Sequence, residues 1–166
     1  PMRVVLVRSA EQGCEPLCTE WIYAEGRITA ATPAEFRRAF KKAGKLRLPI
    51  GVSSPGGDVS AAMAIGKLIR EREAVVVVGK PLIYGCQPAD KTCKPANPKS
   101  GRYVGSDLMQ SGYCYSACGL VLAGGVQRFS PVNAIGTHQM LQTGVRERIW
   151  YHEKYRVVKG KKKVIS

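Results

Sequence analysis

Residues 113–125 read YCYSACGLVLAGG, and they decide the fold because they place a serine at the start of a short apolar helix. Small residues such as Ala117, Gly119 and Ala123 let that helix pack closely against its neighbours. Ser116 has three uses at such a point: it caps the helix, fills space, or acts as a nucleophile where backbone N–H groups stabilise negative charge. Taken alone, the stretch favours a helix cap, and the choice between a cap and a nucleophile depends on the rest of the chain.

Towards the amino terminus, strand and helix patterns alternate. Strands are predicted at 3–8, 21–24, 46–53 and 74–79, and helices at 32–43, where Thr32 serves as the cap, and at 59–72. In the second helix, four apolar side chains are expected to face the core: Val59, Met63, Ile65 and Leu68. The order predicts one α/β domain over residues 1–166, with layers of β-α-β units and a mainly parallel sheet.

Three further segments complete the expected domain. Residues 80–112 are rich in Pro, Gly, Lys and Ser, which predicts a long surface insertion closed at its root by Cys86 and Cys93. Residues 134–140 form a short strand that carries His138. Residues 146–166 form a basic C-terminal β-hairpin with its turn near position 159.

The six cysteines fall in three close pairs: Cys14/Cys18, Cys86/Cys93 and Cys114/Cys118. The tight CxxC spacing or the histidine partners of a metal site are missing, and the chain has only two histidines. Disulfides are the better interpretation, and they imply an oxidising compartment outside the cytoplasm. Six cysteines allow 15 connectivities, and Cys118 could instead be a reduced buried residue, so the pairing stays open.

The net charge of +14 comes from 26 basic and 12 acidic residues, and the hairpin carries much of the excess. Such a charge suggests an anionic neighbour. Lys161, Lys162 and Lys163, with Tyr151 and Tyr155 nearby, are the candidate contacts for an anionic surface. The alternative is a solvated hairpin, and no specific nucleic-acid partner is expected.

Three places can carry chemistry: the turn Ser54-Pro55-Gly56-Gly57 between a strand and a helix, Ser116, and His138. Each is a weak signal alone, because glycine turns and single histidines are usually structural. Their order along the chain resembles that of the Clp-type serine peptidases of the Clp/crotonase superfamily. The resemblance spans residues 21–140, and the added cysteines make the chain similar to an exported bacterial branch of that superfamily.

The resemblance implies a Clp/crotonase-like fold and a serine hydrolase, in the first place a peptidase. By analogy, Ser116 is the nucleophile, His138 is the general base, and the amides of Gly56 and Ala117 form the oxyanion hole. It also implies a peptide or protein substrate and a homo-oligomer. Neither a cofactor nor a metal is expected.

The acid that orients the histidine in this family has no clear counterpart. Only Glu147 and Glu153 follow His138, and the chain is expected to end before the family's last helical segment. Asp107 is a weak substitute, and Asp58 is expected to serve the helix start alone. A Ser–His dyad therefore remains open. So do a catalytically inactive envelope-binding or assembly module of the same fold and, with less support, an acyl-CoA reaction.

Overall fold

The structure is a computed structural model, and it describes residues 1–88, 90, 92–95, 98–139, 155–159 and 161–164. Strands and helices follow one another in this order: β1 Arg3–Ser9, β2 Glu20–Glu25, α1 Thr32–Ala43, β3 Ile50–Ser53, α2 Val59–Glu71, β4 Val75–Val78, β5 Lys80–Ile83, β6 Arg102–Gln110, β7 Cys114–Tyr115, α3 Cys118–Gly124, β8 Gln127–Phe129, β9 Ile135–Gly136, β10 Tyr155–Val158 and β11 Lys161–Val164. The three helices and the sheets make this a mixed α/β fold, as predicted.

A seven-stranded sheet organises the domain in the order β5-β6-β1-β2-β3-β4-β8. Two neighbouring pairs, β1 with β2 and β5 with β6, are antiparallel. The other four pairs are parallel, which confirms the mainly parallel sheet. Two smaller ribbons pair β7 with β9 and β10 with β11, and the second is the predicted C-terminal hairpin.

The sheet separates two apolar layers. On one face, all three helices pack on alternate strand residues such as Leu6, Ile22 and Val52. On the other face, Trp21 and Tyr23 contribute to a smaller cluster that includes the disulfide-bonded Cys93. Alternation along β1 and β2 thus places successive side chains in different layers, as the two-residue period of a strand requires.

Residues 80–112 differ from the predicted insertion, because β5 and β6 at its two ends are strands of the main sheet. Residues 84–101 connect the two strands. The composition of residues 80–112 is not typical of strands, because proline usually interrupts a sheet. Pro81 lies in β5 at the edge of the sheet, which is the position where proline is tolerated. The loop packs over the second face through Cys93, whose carbonyl accepts a hydrogen bond of 3.1 Å from the hydroxyl of Tyr103.

Smaller predictions also needed correction. Strand β3 begins at Ile50 rather than at residue 46. Thr32 is the first residue of α1, and Ala31 is its N-cap; the Thr32 hydroxyl accepts a hydrogen bond from the amide of Thr29, which precedes the helix. Met63, expected in the core, is 47% exposed, because it lies on the edge of α2 that faces a cavity described below.

All three close cysteine pairs form disulfides: Cys14–Cys18, Cys86–Cys93 and Cys114–Cys118. This confirms the local pairing and fits a protein of an oxidising compartment outside the cytoplasm. No helix among the described residues has the length and apolar character needed to cross a membrane.

Helices α2 and α3 lie against each other at two glycines. A Cβ atom on Gly124 would clash with the backbone of Gly66, and one on Gly66 would lie 2.5 Å from the carbonyl oxygen of Leu120. Glycine at both positions therefore allows the two backbones to touch. This close packing fixes the start of α3 relative to the start of α2, where the candidate site lies.

The buried hydroxyl of Tyr23 makes stability depend on pH in a way that can be tested. Burial raises the pKa of Tyr23, and the charge of Glu25 raises it further, whereas an unfolded tyrosine ionises at about pH 10. The folded state thus retains a proton that the unfolded state loses, so stability falls as the pH rises above 10. We expect urea unfolding to show this loss, about 1.4 kcal/mol per pH unit, in the native chain and not in Tyr23→Phe.

Tyr84, which is 51% exposed, supplies the control. Tyr84→Phe is expected to keep the alkaline slope of the native chain. Equal slopes for the native chain and Tyr23→Phe would contradict the assignment.

Candidate active site

Main-chain hydrogen bonds bring the three sequence segments of the predicted site together. The amide of Ser54 donates to the carbonyl of Tyr113 at 2.7 Å, and the amide of Tyr115 donates back to the carbonyl of Ser54 at 2.9 Å. On the other side, the amide of Ser116 donates to the carbonyl of Gly136 at 2.7 Å. The glycine turn, the serine and the segment that leads to His138 therefore lie side by side.

Ser116 occupies a sharp turn between β7 and α3. Its φ of +55° lies in the left-handed region, which is unusual for a residue with a Cβ atom. The N-cap of α3 is Ala117 and receives no side-chain capping bond, so Ser116 does not cap the helix. The disulfide between Cys114 and Cys118 closes a covalent ring around this turn. Strained residues held by their surroundings in this way concentrate at functional sites.

Gly56 lies directly against the serine turn. Its φ is +91°, and a Cβ atom there would lie 2.6 Å from the carbonyl oxygen of Tyr115, 2.8 Å from Cβ of Ser116 and 3.0 Å from the amide nitrogen of Ala117. Only glycine permits this approach. The structure therefore brings together Gly56, Ser116 and Ala117, three of the four predicted site residues.

The amides near Ser116 differ in their partners. The N–H of Gly56 donates to Oγ of Ser54 at 3.1 Å, and that hydroxyl in turn donates to the carbonyl of Gly26 at 2.7 Å. Within the described part of the chain, the N–H groups of Gly57 and Ala117 have no hydrogen-bond acceptor. Among the described residues these two amides therefore lack a partner, and that of Ala117 belongs to a residue that lines the cavity beside Ser116.

Ser116 and His138, the fourth predicted residue, line the same cavity of about 260 Å³. Three apolar side chains form much of its wall: Val59, Met63 and Leu120. Val59 and Met63 are one helical turn apart on α2, so they present one edge of that helix to the cavity. Sequence reasoning missed Met63, because an apolar residue at a helical period looks the same whether it faces the core or a cleft.

His138 is exposed, and its ring is held by its own neighbour. Nδ1 lies 2.7 Å from the carbonyl oxygen of Gln139. Because a carbonyl can only accept, Nδ1 is the donor in this contact, and in the neutral imidazole Nε2 is then the acceptor that a general base needs. Among the hydrogen bonds of the described residues there is none between His138 and Ser116. The sequence could not predict the role of the Gln139 carbonyl, because every residue has a main-chain carbonyl group.

An acid that orients His138 is not found among the described side chains. Glu147 and Glu153 lie outside the described residues, and so does the side chain of Asp107. Asp58 caps α2 by accepting a hydrogen bond of 2.7 Å from the amide of Ala61, in agreement with its expected structural role. The described residues also contain no cluster of side chains that could hold a metal ion.

Replacing Gly56 tests the close approach. Gly56→Ala is expected to lower the free energy of unfolding by at least about 2 kcal/mol, because the added methyl group meets backbone atoms at a positive φ. Gly119→Ala is the matched control, since a Cβ atom there meets nothing within 4 Å. It is expected to be neutral or stabilising by up to about 1 kcal/mol in urea unfolding. Equal effects of the two substitutions would contradict the described packing.

The left-handed turn at Ser116 gives a second test. Ser116→Gly and Ser116→Ala both remove the hydroxyl group. Glycine adopts a φ of +55° without strain, whereas alanine is strained there because of its Cβ atom. We expect Ser116→Gly to be more stable than Ser116→Ala by about 1 kcal/mol in the same unfolding assay. An alanine variant as stable as the glycine variant would show that this backbone is not strained.

Comparisons with family models, with curated proteins and with solved structures found no match to this chain.

Proposed function

We propose that the chain is a serine hydrolase of the Clp type, acting as a peptidase outside the cytoplasm. The observation that carries the proposal is that Ser116 and His138, far apart in sequence, line one cavity. The strained serine turn against Gly56 supports it, because strained residues held by their surroundings concentrate at functional sites and the amide of Ala117 lies in the same turn. The three disulfides support the compartment.

In the proposed reaction, Oγ of Ser116 attacks the carbonyl carbon of the scissile amide. Nε2 of His138 accepts the serine proton and later delivers it to the leaving amine. This requires the imidazole to move into hydrogen-bond distance of the serine when substrate binds. Catalytic hydrogen bonds are often long or unformed in the free enzyme and shorten in the complex, and we propose that the exposed His138 shifts together with its neighbour Gln139, so that their contact is kept.

The oxyanion is proposed to bind the free N–H of Ala117 together with an N–H of the glycine turn. A second donor at Gly56 would have to exchange Oγ of Ser54 for the substrate oxygen. Gly57 lies next in the chain and has no such competing acceptor among the described residues. One oxyanion donor typically contributes about 2.7–4 kcal/mol to transition-state stabilisation, so the choice between these two glycines matters.

We propose that the carbonyl of Gln139 orients the His138 ring, which is the role that an acid has in the family. It fixes the tautomer of His138, but a neutral oxygen stabilises the imidazolium less than a carboxylate does. The site would therefore work as a Ser–His dyad, slower than a full triad.

The walls of the cavity suggest the substrate. Val59, Met63 and Leu120 favour a peptide with an apolar side chain next to the scissile bond. The resemblance also leads us to propose a homo-oligomer. Two strongly exposed apolar residues, Phe129 at 55% and Val132 at 91%, lie on the segment that follows α3 and offer a surface for it.

A fluorophosphonate probe tests the nucleophile. We expect it to label the native chain at Ser116 and to label Ser116→Ala not at all. His138→Ala is expected to slow labelling by about 10²–10⁴-fold, because the base is lost. The rates follow from gel fluorescence and from mass spectrometry of the labelled peptide.

Two matched controls separate catalysis from folding. Gln139→Ala keeps the main-chain carbonyl, and Ser130→Ala removes an exposed hydroxyl that donates only to the carbonyl of Pro131. Both are expected to be labelled at the native rate. A native chain that is folded but takes no label would favour the inactive binding or assembly module instead.

A further inference from the structure

A second cavity, of about 380 Å³, lies away from the serine site beside the first residues of β1. Its origin is visible in the register of the sheet. Strand β6 pairs with β1 from Leu6 onward, so within the described part of the chain no strand pairs with Arg3–Val5 on that side. Helix α1 and the end of the disulfide-closed loop border the gap. A volume of this size is within the usual range of small-ligand sites.

Four cationic residues line this cavity, and they come from three separate elements. Arg3 comes from β1, Arg38 and Lys42 come from α1, and Lys94 comes from the loop. Cations are four of the thirteen lining residues, against 26 of the 166 residues in the chain. The single lining carboxylate belongs to Glu35. The concentration of charge is therefore about twice that of the chain as a whole, and it is gathered around a concave space.

The charges are only partly compensated within the protein. Arg38 pairs with Glu35, whereas Arg3, Lys42 and Lys94 form no ion pair among the described residues. The charge of Arg3 also interacts weakly with the carboxyl group of Asp90. The pKa of that carboxyl is lowered first by its hydrogen bonds to Thr92, and the charge of Arg3 contributes least.

The cavity walls bring these cations towards one another. Arg38 and Lys42 are one turn apart on α1 and so project from the same face. Across the gap, a Cβ atom on Gly101 would lie 3.7 Å from Nζ of Lys42, which places that ammonium group over the loop that also carries Lys94. Like charges gathered around one concave space repel one another, and an anion bound among them would reduce that repulsion.

We propose that this cavity binds a phosphate monoester. A phosphate group suits it better than a single carboxylate does, because cations from several sides match a compact group with up to two negative charges and several acceptor oxygens. Apolar atoms of Ala39, Pro95 and Pro98 line the same space and would contact the organic part of the ester. The site is independent of the chemistry proposed at Ser116.

Isothermal titration calorimetry at low ionic strength tests the proposal with inorganic phosphate, phenyl phosphate and phenol. We expect saturable binding of phenyl phosphate that is tighter than that of inorganic phosphate, and none of phenol. Lys42→Gln/Lys94→Gln removes two exposed cations from the cavity and is expected to weaken phenyl phosphate at least about tenfold. Lys41→Gln/Lys67→Gln removes the same charge from exposed positions outside the cavity and is expected to change affinity less than about twofold.

Vesicles of phosphatidylcholine with and without phosphatidic acid show whether the phosphate can belong to a lipid. Binding to the acidic vesicles that is lost in Lys42→Gln/Lys94→Gln and kept in the control supports the site with a lipid source. If neither a free phosphate nor the acidic vesicle binds, the proposal is overturned. Equal weakening in the two double variants overturns it as well, since that result means general attraction to a basic surface.

Discussion

The contact between Gly56 and the turn at Ser116 leaves no room for a single methyl group, and the arrangement of the site depends on it. The glycine turn ends β3, and the serine turn ends the short strand β7. Hydrogen bonds through Ser54 join the two, and further bonds join the serine turn to Gly136. Because each turn is anchored in a strand, the positions of Ser116 and of the neighbouring amides follow from sheet pairing and not from mobile side chains.

The same sheet explains why the two cavities differ in character. At the serine site, parallel strands end against the starts of α2 and α3, and the wall is apolar because those helices expose Met63 and Leu120 at their common edge. At the other cavity, a strand that begins late leaves a gap, and the helix beside it presents its charged stripe. One fold thus offers an apolar cleft and a cationic pocket at separate places.

Much of the fold could be predicted from local sequence, because periodicity and turn residues are strong signals in α1, α2 and the buried strand β4. The spacing of the cysteines favoured disulfides between close neighbours but left the pairing open, and the structure decides it. The strands in residues 80–112 could not be recognised, since Pro81 and the polar loop hide segments that only their partners in the sheet make strands. At the candidate site, Ser116 and His138 could be predicted from their side chains, and Gly56 from its lack of one. The free amide of Gly57 and the carbonyl of Gln139 could not, because main-chain groups carry no mark in a sequence.

The covalent ring formed by Cys114 and Cys118 encloses the proposed nucleophile, and both sulfur-bearing residues are fully buried. A newly made chain in a reducing environment has no such ring, so nothing covalent holds the turn in its strained backbone conformation. If Ser116 is the nucleophile, oxidation becomes a step of enzyme maturation.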